Sequence, residues 1–438
     1  MSKGLSRREV LRTAAVAAVG VPLVGSAVAE QQRKWLHSEP IRFGIIGVGG
    51  KGWSGMEQAA QFGDIVALCD IDVNPRAKGM AEHPKAAAFT DFRHMIDAMR
   101  GRVDAVVIST PDHVHAPAAA YAMRAGLHVY CEKPLSRTIW EARRLQELAR
   151  QFKVQTQMGN QFTSHNPLRK TAAAIQKGLL GKVIEIHLWT DRPGGWWKQG
   201  VPRPEAKIAP KTVDFDLWLG PSPERPFADG YHPFSWRGWW DFGTGSLGDI
   251  GCHNFNLAFQ ALDLRDPISV QAQTSGHNRD SFPAWSIVTY EFGARGERAP
   301  MKLYWYDGGK KPPQELAPGV EFGGNGSLIV CEKGTLYAPN EYGGDPRLLS
   351  GDPIPETDFV ESPGHMAEFA RAIKEGKPAN SNFPDYSGPL TETVLLGNLA
   401  VWADGPRLEW DSKRMQVKGG SKEYDPLIRP TYRPGWAL

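Results

Sequence analysis

From residue 42 the chain alternates between short apolar runs and longer stretches with helical spacing. Runs of strand type fall near 42–47, 64–69, 86–89, 103–109, 127–131 and 153–158, and helical stretches near 53–62, 91–100, 115–125 and 138–151. The first, second, fourth and fifth runs are almost continuously apolar, as in Val103-Asp104-Ala105-Val106-Val107-Ile108, which is what a parallel sheet covered on both faces requires. The pattern predicts a doubly wound α/β domain over 40–160.

Beyond Gly159 the pattern changes. A helical stretch, Asn166 to Gly178, leads into a long strand at 182–190, and a Gly-, Pro- and Trp-rich section, Asp191 to Gly245, then runs with little periodicity. An irregular stretch of that length is usually functional or disordered, and its tryptophans favour an ordered part of a binding site. Strands near 267–275, 284–292, 301–306 and 327–331 follow without intervening helices, which predicts an open, mostly antiparallel sheet. Helices near 364–375 and 386–403 and a polar tail complete a second α/β domain over 161–438, with the final helix free to pack back on the first domain.

Length supports two domains, because 438 residues exceed what one core usually organises. The first 29 residues stand apart. Ser6-Arg7-Arg8-Glu9-Val10-Leu11-Arg12 is a twin-arginine signature, Thr13 to Val24 is apolar, and Ala27-Val28-Ala29 is a small-residue cleavage signal. The apolar run falls short of the ~20 residues needed to span a bilayer, so export to the periplasm in the folded state is expected. Setting aside Lys3, Arg7, Arg8, Arg12 and Glu9 leaves 47 basic and 47 acidic residues out of 51 and 48. A neutral mature chain suggests neither nucleic acid nor an anionic membrane as partner. Cys69, Cys131, Cys252 and Cys331 have no zinc-type spacing, and free buried thiols are expected.

The stretch Ile41 to Gly52, IRFGIIGVGGKG, places GxGxxG between the first strand and the first helix. Gly47 allows a tight turn, Gly49 a close approach of backbone to a pyrophosphate, and Gly52 the packing of helix on strand. With Gly50 and Lys51, this loop would hold a dinucleotide at the helix N-terminus. Asp70 ends the second strand 18 residues after Gly52, near the ~20 expected for a carboxylate that bonds the ribose hydroxyls. With Asp72 close by, it favours NAD over NADP.

Three further clusters carry chemistry. Thr110-Pro111-Asp112-His113-Val114-His115 follows the fourth strand, at the edge where open α/β sheets bind ligands; a metal site needs a third ligand group that is not evident, so none is expected. Cys131-Glu132-Lys133-Pro134 follows the fifth strand, where a lysine can hydrogen-bond a substrate hydroxyl and favour its alkoxide, unless it is a solvated surface residue. Asp249 and His253 stand four apart; if Asp249 opens a helix running to Leu262, a carboxylate could orient an imidazole as general base, or the pair could be a cap and a core histidine.

Together GVGGKG at 47–52, CEKP at 131–134 and the Asp249-to-His253 spacing resemble the glucose-fructose oxidoreductase, inositol dehydrogenase and MocA family, over nearly the whole mature chain. The resemblance implies a Rossmann domain plus an open-sheet α/β domain, a bound NAD or NADP, and a sugar or cyclitol substrate. It also implies Lys133 as catalytic lysine, His253 as proton acceptor, Asp249 as its partner, and Gln157 to Gln161 near the nicotinamide. On that footing Gly47, Gly49, Gly50, Lys51, Gly52, Asp70, Thr110, Pro111, His113, His115, Glu132, Lys133 and Gln161 are candidate cofactor residues. Arg192, Trp196, Trp197, Arg237, Trp239 and Trp240 are candidates for the sugar, by hydroxyl contacts and ring stacking. An exported enzyme meets no pool of free NAD, so a tightly held cofactor is expected. Three readings follow: an oxidoreductase of a sugar, glycoside or cyclitol hydroxyl; a glycosidase or lyase working by transient oxidation, as in the related family 109 glycoside hydrolases; or a cofactor-bound sensor. Self-association through the open sheet is expected.

Overall fold

The structure is a computed structural model and describes residues 39–420 and 422–438. The expected signal segment 1–29 lies outside the described residues. Among the described residues no helix is long and apolar enough to cross a membrane.

Six strands, β1 (Ile41–Ile46), β2 (Gly63–Cys69), β3 (Ala87–Phe89), β4 (Ala105–Ile108), β5 (His128–Cys131) and β6 (Thr156–Met158), form a parallel sheet in the order β3-β2-β1-β4-β5-β6. This is the doubly wound arrangement expected, with its topological switch between β1 and β4. Register explains why the candidate residues meet. Ile46 pairs with Cys69 and with Ile108, and Ile108 with Cys131. Strand ends in step bring Gly47, Asp70, Ser109 and Glu132 to one edge. Helix Val73–Glu82, capped by Asp72 accepting from the Asn74 N–H at 2.9 Å, was not predicted; its weak apolar periodicity gave no signal.

The second sheet has nine strands: β7 (Val183–Thr190), β8 (Ser269–Thr274), β9 (Ser286–Phe292), β10 (Met301–Asp307), β11 (Gly326–Cys331), β12 (Gly334–Ala338), β13 (Arg347–Leu348), β14 (Leu408–Asp411) and β15 (Gln416–Val417). They run in the order β13-β12-β11-β7-β10-β9-β8-β14-β15. Every pairing is antiparallel except β7 with β10. The strands from β12 onward were not anticipated, being short or set in polar sequence.

Two helices tie the halves together. Helix His365–Glu375 turns Met366, Phe369 and Ile373 into the apolar cluster of Ile41, Phe43 and Ile45. Helix Gly388–Ala403 lies along helix Ile139–Phe152, where Glu392 takes Arg143 at 2.5 and 2.7 Å. The final long helix thus packs against the first domain, and helix His365–Glu375 shares that role. All four cysteines are free and buried.

Candidate active site

The strand ends of the first sheet and the helix Gly245–Asn254 border a cleft of about 1060 Å³. At its floor the glycine loop has the form the motif requires. Gly47 has φ +83°, and a Cβ there would lie 2.6 Å from the Ser109 carbonyl oxygen; a Cβ on Gly52 would fall 1.9 Å from the Gly47 oxygen. Gly52 therefore supports the loop from beneath and does not line the cleft, whereas Gly47, Gly49, Gly50 and Lys51 do. Helix Lys51–Ala60 has no side-chain cap; the Gly52 and Trp53 N–H groups turn back to the Gly49 and Gly50 carbonyls at 3.0 and 3.2 Å, and the positive dipole end is left for a phosphate. Asp70 braces the loop: Oδ2 accepts from the Val48 and Gly49 N–H groups at 2.7 and 3.2 Å, and Oδ1 from that of Asp72 at 2.9 Å. Burial raises Asp70 above the usual carboxylate range, against the pull of these donors. Ser109 and Thr110 each bury a hydroxyl beside the loop that has no hydrogen-bond partner among the described residues. An open anion cradle, a carboxylate and orphaned hydroxyls are the fit a dinucleotide needs.

Thr110, Pro111, His115, Glu132, Lys133 and Gln161 line the same cleft. His115 holds the two edge loops together, Nδ1 against the Pro134 carbonyl at 2.7 Å and Nε2 against that of Thr110 at 2.8 Å. Gln161 donates to Glu132 Oε1 at 3.2 Å, and Lys51 stands 3.7 Å from the same oxygen. The Lys133–Pro134 bond is cis.

Two expected cofactor contacts fail. His113 is 1 % exposed and away from the cleft, with Nδ1 and Nε2 taken by the carbonyls of Phe242 and Trp218 at 3.1 and 2.8 Å. Burial pushes it down to about 4, so the ring is neutral and donates to one of the two carbonyls while its other nitrogen only packs against the second. Gln157 is buried within β6 and donates to the His365 carbonyl at 2.7 Å.

The expected Asp249–His253 pair also needs correction. Asp249 does not open a helix; it sits in the middle of Gly245–Asn254, and Asn256–Leu262 is a separate helix. Its carboxylate turns to cations instead. Lys133 Nζ donates to the Asp249 carbonyl at 2.6 Å and to Oδ1 at 2.8 Å, Arg237 Nε donates to Oδ1 at 3.0 Å, and Arg192 Nη1 lies 4.0 Å from Oδ2. Burial raises this carboxyl, but the three cations outweigh it and hold it far below the ordinary value. His253 packs edge-on to Tyr342 with ring centroids 4.8 Å apart, and its buried Nδ1 has no hydrogen-bond partner among the described residues. Burial, then the charge of Lys133, keeps the imidazole neutral well below its usual range.

The tryptophans divide. Trp196 is 57 % exposed on the cleft wall, with the Arg192 guanidinium 3.7 Å from its ring. Arg237 lies between Phe234 and Trp236, at 4.4 and 4.2 Å from their centroids. By contrast Trp197, Trp239 and Trp240 are core residues outside the cleft, 3 %, 4 % and 6 % exposed. Trp197 donates to Gln199, Trp239 to the Gly230 carbonyl, and Trp240 stacks on Phe282 at 3.6 Å. Sequence reasoning missed Trp236, Phe234, Tyr342 and Trp436, all of which line the cleft; no spacing or motif separates them from core aromatics. It also passed over Asp112, 3 % exposed, which accepts from Thr244 Oγ1 at 2.6 Å and is pushed up to about 7 by burial.

Residues 41–160 match the family described as oxidoreductase family, NAD-binding Rossmann fold, and residues 163–298 match its C-terminal alpha/beta domain. A glycosyl hydrolase family 109 protein of Solibacter usitatus is 36 % identical over 155 residues, 31 % of this chain and 35 % of the relative. An inositol 2-dehydrogenase of Rubrobacter xylanophilus is 37 % identical over 162 residues, 35 % of this chain and 44 % of the relative. The chain thus spans less than half the length of these curated relatives. An inositol dehydrogenase homolog of Azotobacter vinelandii, solved with NADH and myo-inositol, shares the fold at a TM-score of 0.59 and 18 % identity, covering 86 % of this chain and 99 % of that one. The glycine cradle, the two-domain cleft and both family matches lead to one statement: this chain belongs to the glucose-fructose oxidoreductase, inositol dehydrogenase and MocA family of NAD-binding oxidoreductases.

Proposed function

We propose that the protein oxidises a hydroxyl of a sugar, glycoside or cyclitol with a tightly held NAD. The observation that carries this reading is the setting of Lys133. Two of its three N–H bonds go to Asp249, at 2.6 and 2.8 Å, and the third is left for the cleft. A hydroxyl brought there would find an ammonium already oriented to stabilise its alkoxide, which is where charge develops as the carbon is oxidised. Asp249 is then the residue that positions Lys133. His253, kept neutral by burial, has a lone pair to accept the hydroxyl proton, and Tyr342 fixes the plane of its ring. Arg192, Arg237, Trp196 and Trp236 form the wall against which the ring would lie, offering N–H donors and flat apolar surface. Gly47, Gly49, Gly50, Lys51, Asp70, Thr110 and Glu132 would hold the NAD, which supplies the two-electron acceptor. Asp70 and Asp72 at the ribose end disfavour a 2′-phosphate. The twin-arginine signature supports export in the folded state, and the broad nine-stranded sheet supports self-association.

The test is to incubate the purified protein with a panel of sugars, cyclitols and aryl glycosides while following reduced-nicotinamide absorbance. Net reduction with one compound class is expected. The relatives named as family 109 glycosyl hydrolases favour one second reading, a glycosidase acting by transient oxidation. Release of aglycone without net reduction would replace the first reading by that one, and neither signal would overturn both.

A further inference from the structure

The irregular stretch 191–245 reaches the first domain at a place the reaction does not need. Thr212–Asp214 crosses to the turn that follows Asp70. The Val73 N–H donates to the Thr212 carbonyl and the Asp214 N–H to that of Ile71, each at 2.9 Å, around an antiparallel bridge of Asp72 with Val213. His232 Nε2 adds a contact to Asp72 Oδ2 at 3.3 Å. Asp214 then caps the short helix Phe215–Leu219, its Oδ1 accepting from the Leu217 N–H at 3.1 Å, and this turn puts Leu217 and Trp218 on the cleft wall.

The C-terminal segment arrives at the same corner. Arg433 donates to Asp216 Oδ1 at 2.6 Å, to the Asp216 carbonyl at 2.8 Å and to that of Gly220 at 3.1 Å. Arg93 donates to the Gly435 carbonyl at 3.1 Å and lies 4.4 Å from the centroid of Trp436. Trp436 meets Phe92 with ring centroids 5.9 Å apart. The end of the cleft past Asp70 is therefore walled by Ile71, Phe92, Val213, Leu217, Trp218 and Trp436. Trp218 is 3 % exposed, and its indole N–H has no acceptor among the described residues.

We infer that Thr212–Trp218 and Arg433–Trp436 form a strap over the adenosine half of the NAD site and prevent the cofactor from exchanging. With the pyrophosphate on the glycine loop and a ribose at Asp70, the adenine must lie in this corner. A flat, largely apolar base suits walls of aromatic and branched side chains. Because two backbone hydrogen bonds and the Arg433 contacts span the corner, the base leaves only when the strap opens. The inference rests on the reading of a tightly held cofactor and names the residues that hold it; it does not depend on the reaction at Lys133.

The experiment loads the full-length protein with isotope-labelled NAD and chases it with unlabelled NAD. Label should stay with the wild-type protein through desalting. The variant Trp436→Ala, and a chain ended at Pro430, should release it at least about tenfold faster, the scale of losing one modest contact. Should the shortened chain misfold, Trp436→Ala and Arg433→Gln, checked by thermal melting, carry the comparison. Loss of label from the wild type on desalting, or equal release by wild type and variants, overturns the strap. A protein that keeps NAD but oxidises none of the panel removes the reaction and leaves the strap. One that oxidises a sugar while exchanging NAD freely does the reverse.

Discussion

Burial sets the carboxyl of Asp112 apart from that of an ordinary aspartate. Burial holds its proton up to about pH 7, with Thr244, Arg237 and Lys133 pulling the other way, whereas an unfolded aspartate releases it near pH 3.9. Between those values the folded state binds the extra proton, so stability falls as pH rises, by up to about 1.4 kcal/mol per unit, and levels off above pH 7. Denaturant midpoints across that window should fall in the wild type and stay flatter in Asp112→Asn; equal slopes would refute the assignment. Two tryptophans three residues apart make a second test. Trp236→Ala should both raise KM for the sugar and lower the melting temperature, because Trp236 lines the cleft and is only 6 % exposed. Trp239→Ala should cost about 3–5 kcal/mol of stability and leave KM unchanged in the folded fraction, as a buried aromatic does. For Lys133→Met, the expected loss in kcat is about 10²–10⁴-fold with NAD still bound, measured by turnover and by retained label.

Among the elements, the glycine loop was legible because its demands are steric and local. Gly52→Ala would drive a Cβ into the Gly47 carbonyl, so the variant should lose bound NAD, with a lowered melting temperature; full retention of label would contradict the packing described. Helix Gly245–Asn254 was less legible. Spacing of four puts Asp249 and His253 on one side, but it does not say which neighbour takes the carboxylate. An ammonium and two guanidinium groups from Lys133, Arg237 and Arg192 outcompete a neutral imidazole for it, and of these Lys133 comes from 116 residues away and none from the helix itself. The same limit applies to the Trp-rich stretch: its six tryptophans share a composition, and only the tertiary packing leaves Trp196 exposed, gives Trp236 one face on the cleft and turns Trp197, Trp239 and Trp240 away from it.

At the scale of the molecule, the two halves are joined through a common interior. Phe369, fully buried against Tyr130 with ring centroids 5.9 Å apart, belongs to a helix that falls in sequence between β13 and β14 of the second sheet but covers the first. Phe369→Ala should therefore lower the stability of the whole chain by about 3–5 kcal/mol within a single unfolding transition; two separated transitions by calorimetry would show that the halves are independent. The sequence by itself determined the parallel sheet, the glycine cradle with Asp70, the edge placement of Lys133 and the antiparallel character of the second sheet. Each depends on periodicity or on steric rules that act within a few residues. Tertiary structure alone decided that Asp249 serves Lys133, that His113 is a core brace, and that Thr212–Trp218 and Arg433–Trp436 meet above Asp70. Those outcomes depend on which charges and surfaces arrive together from segments more than a hundred residues apart, and no local pattern encodes that competition.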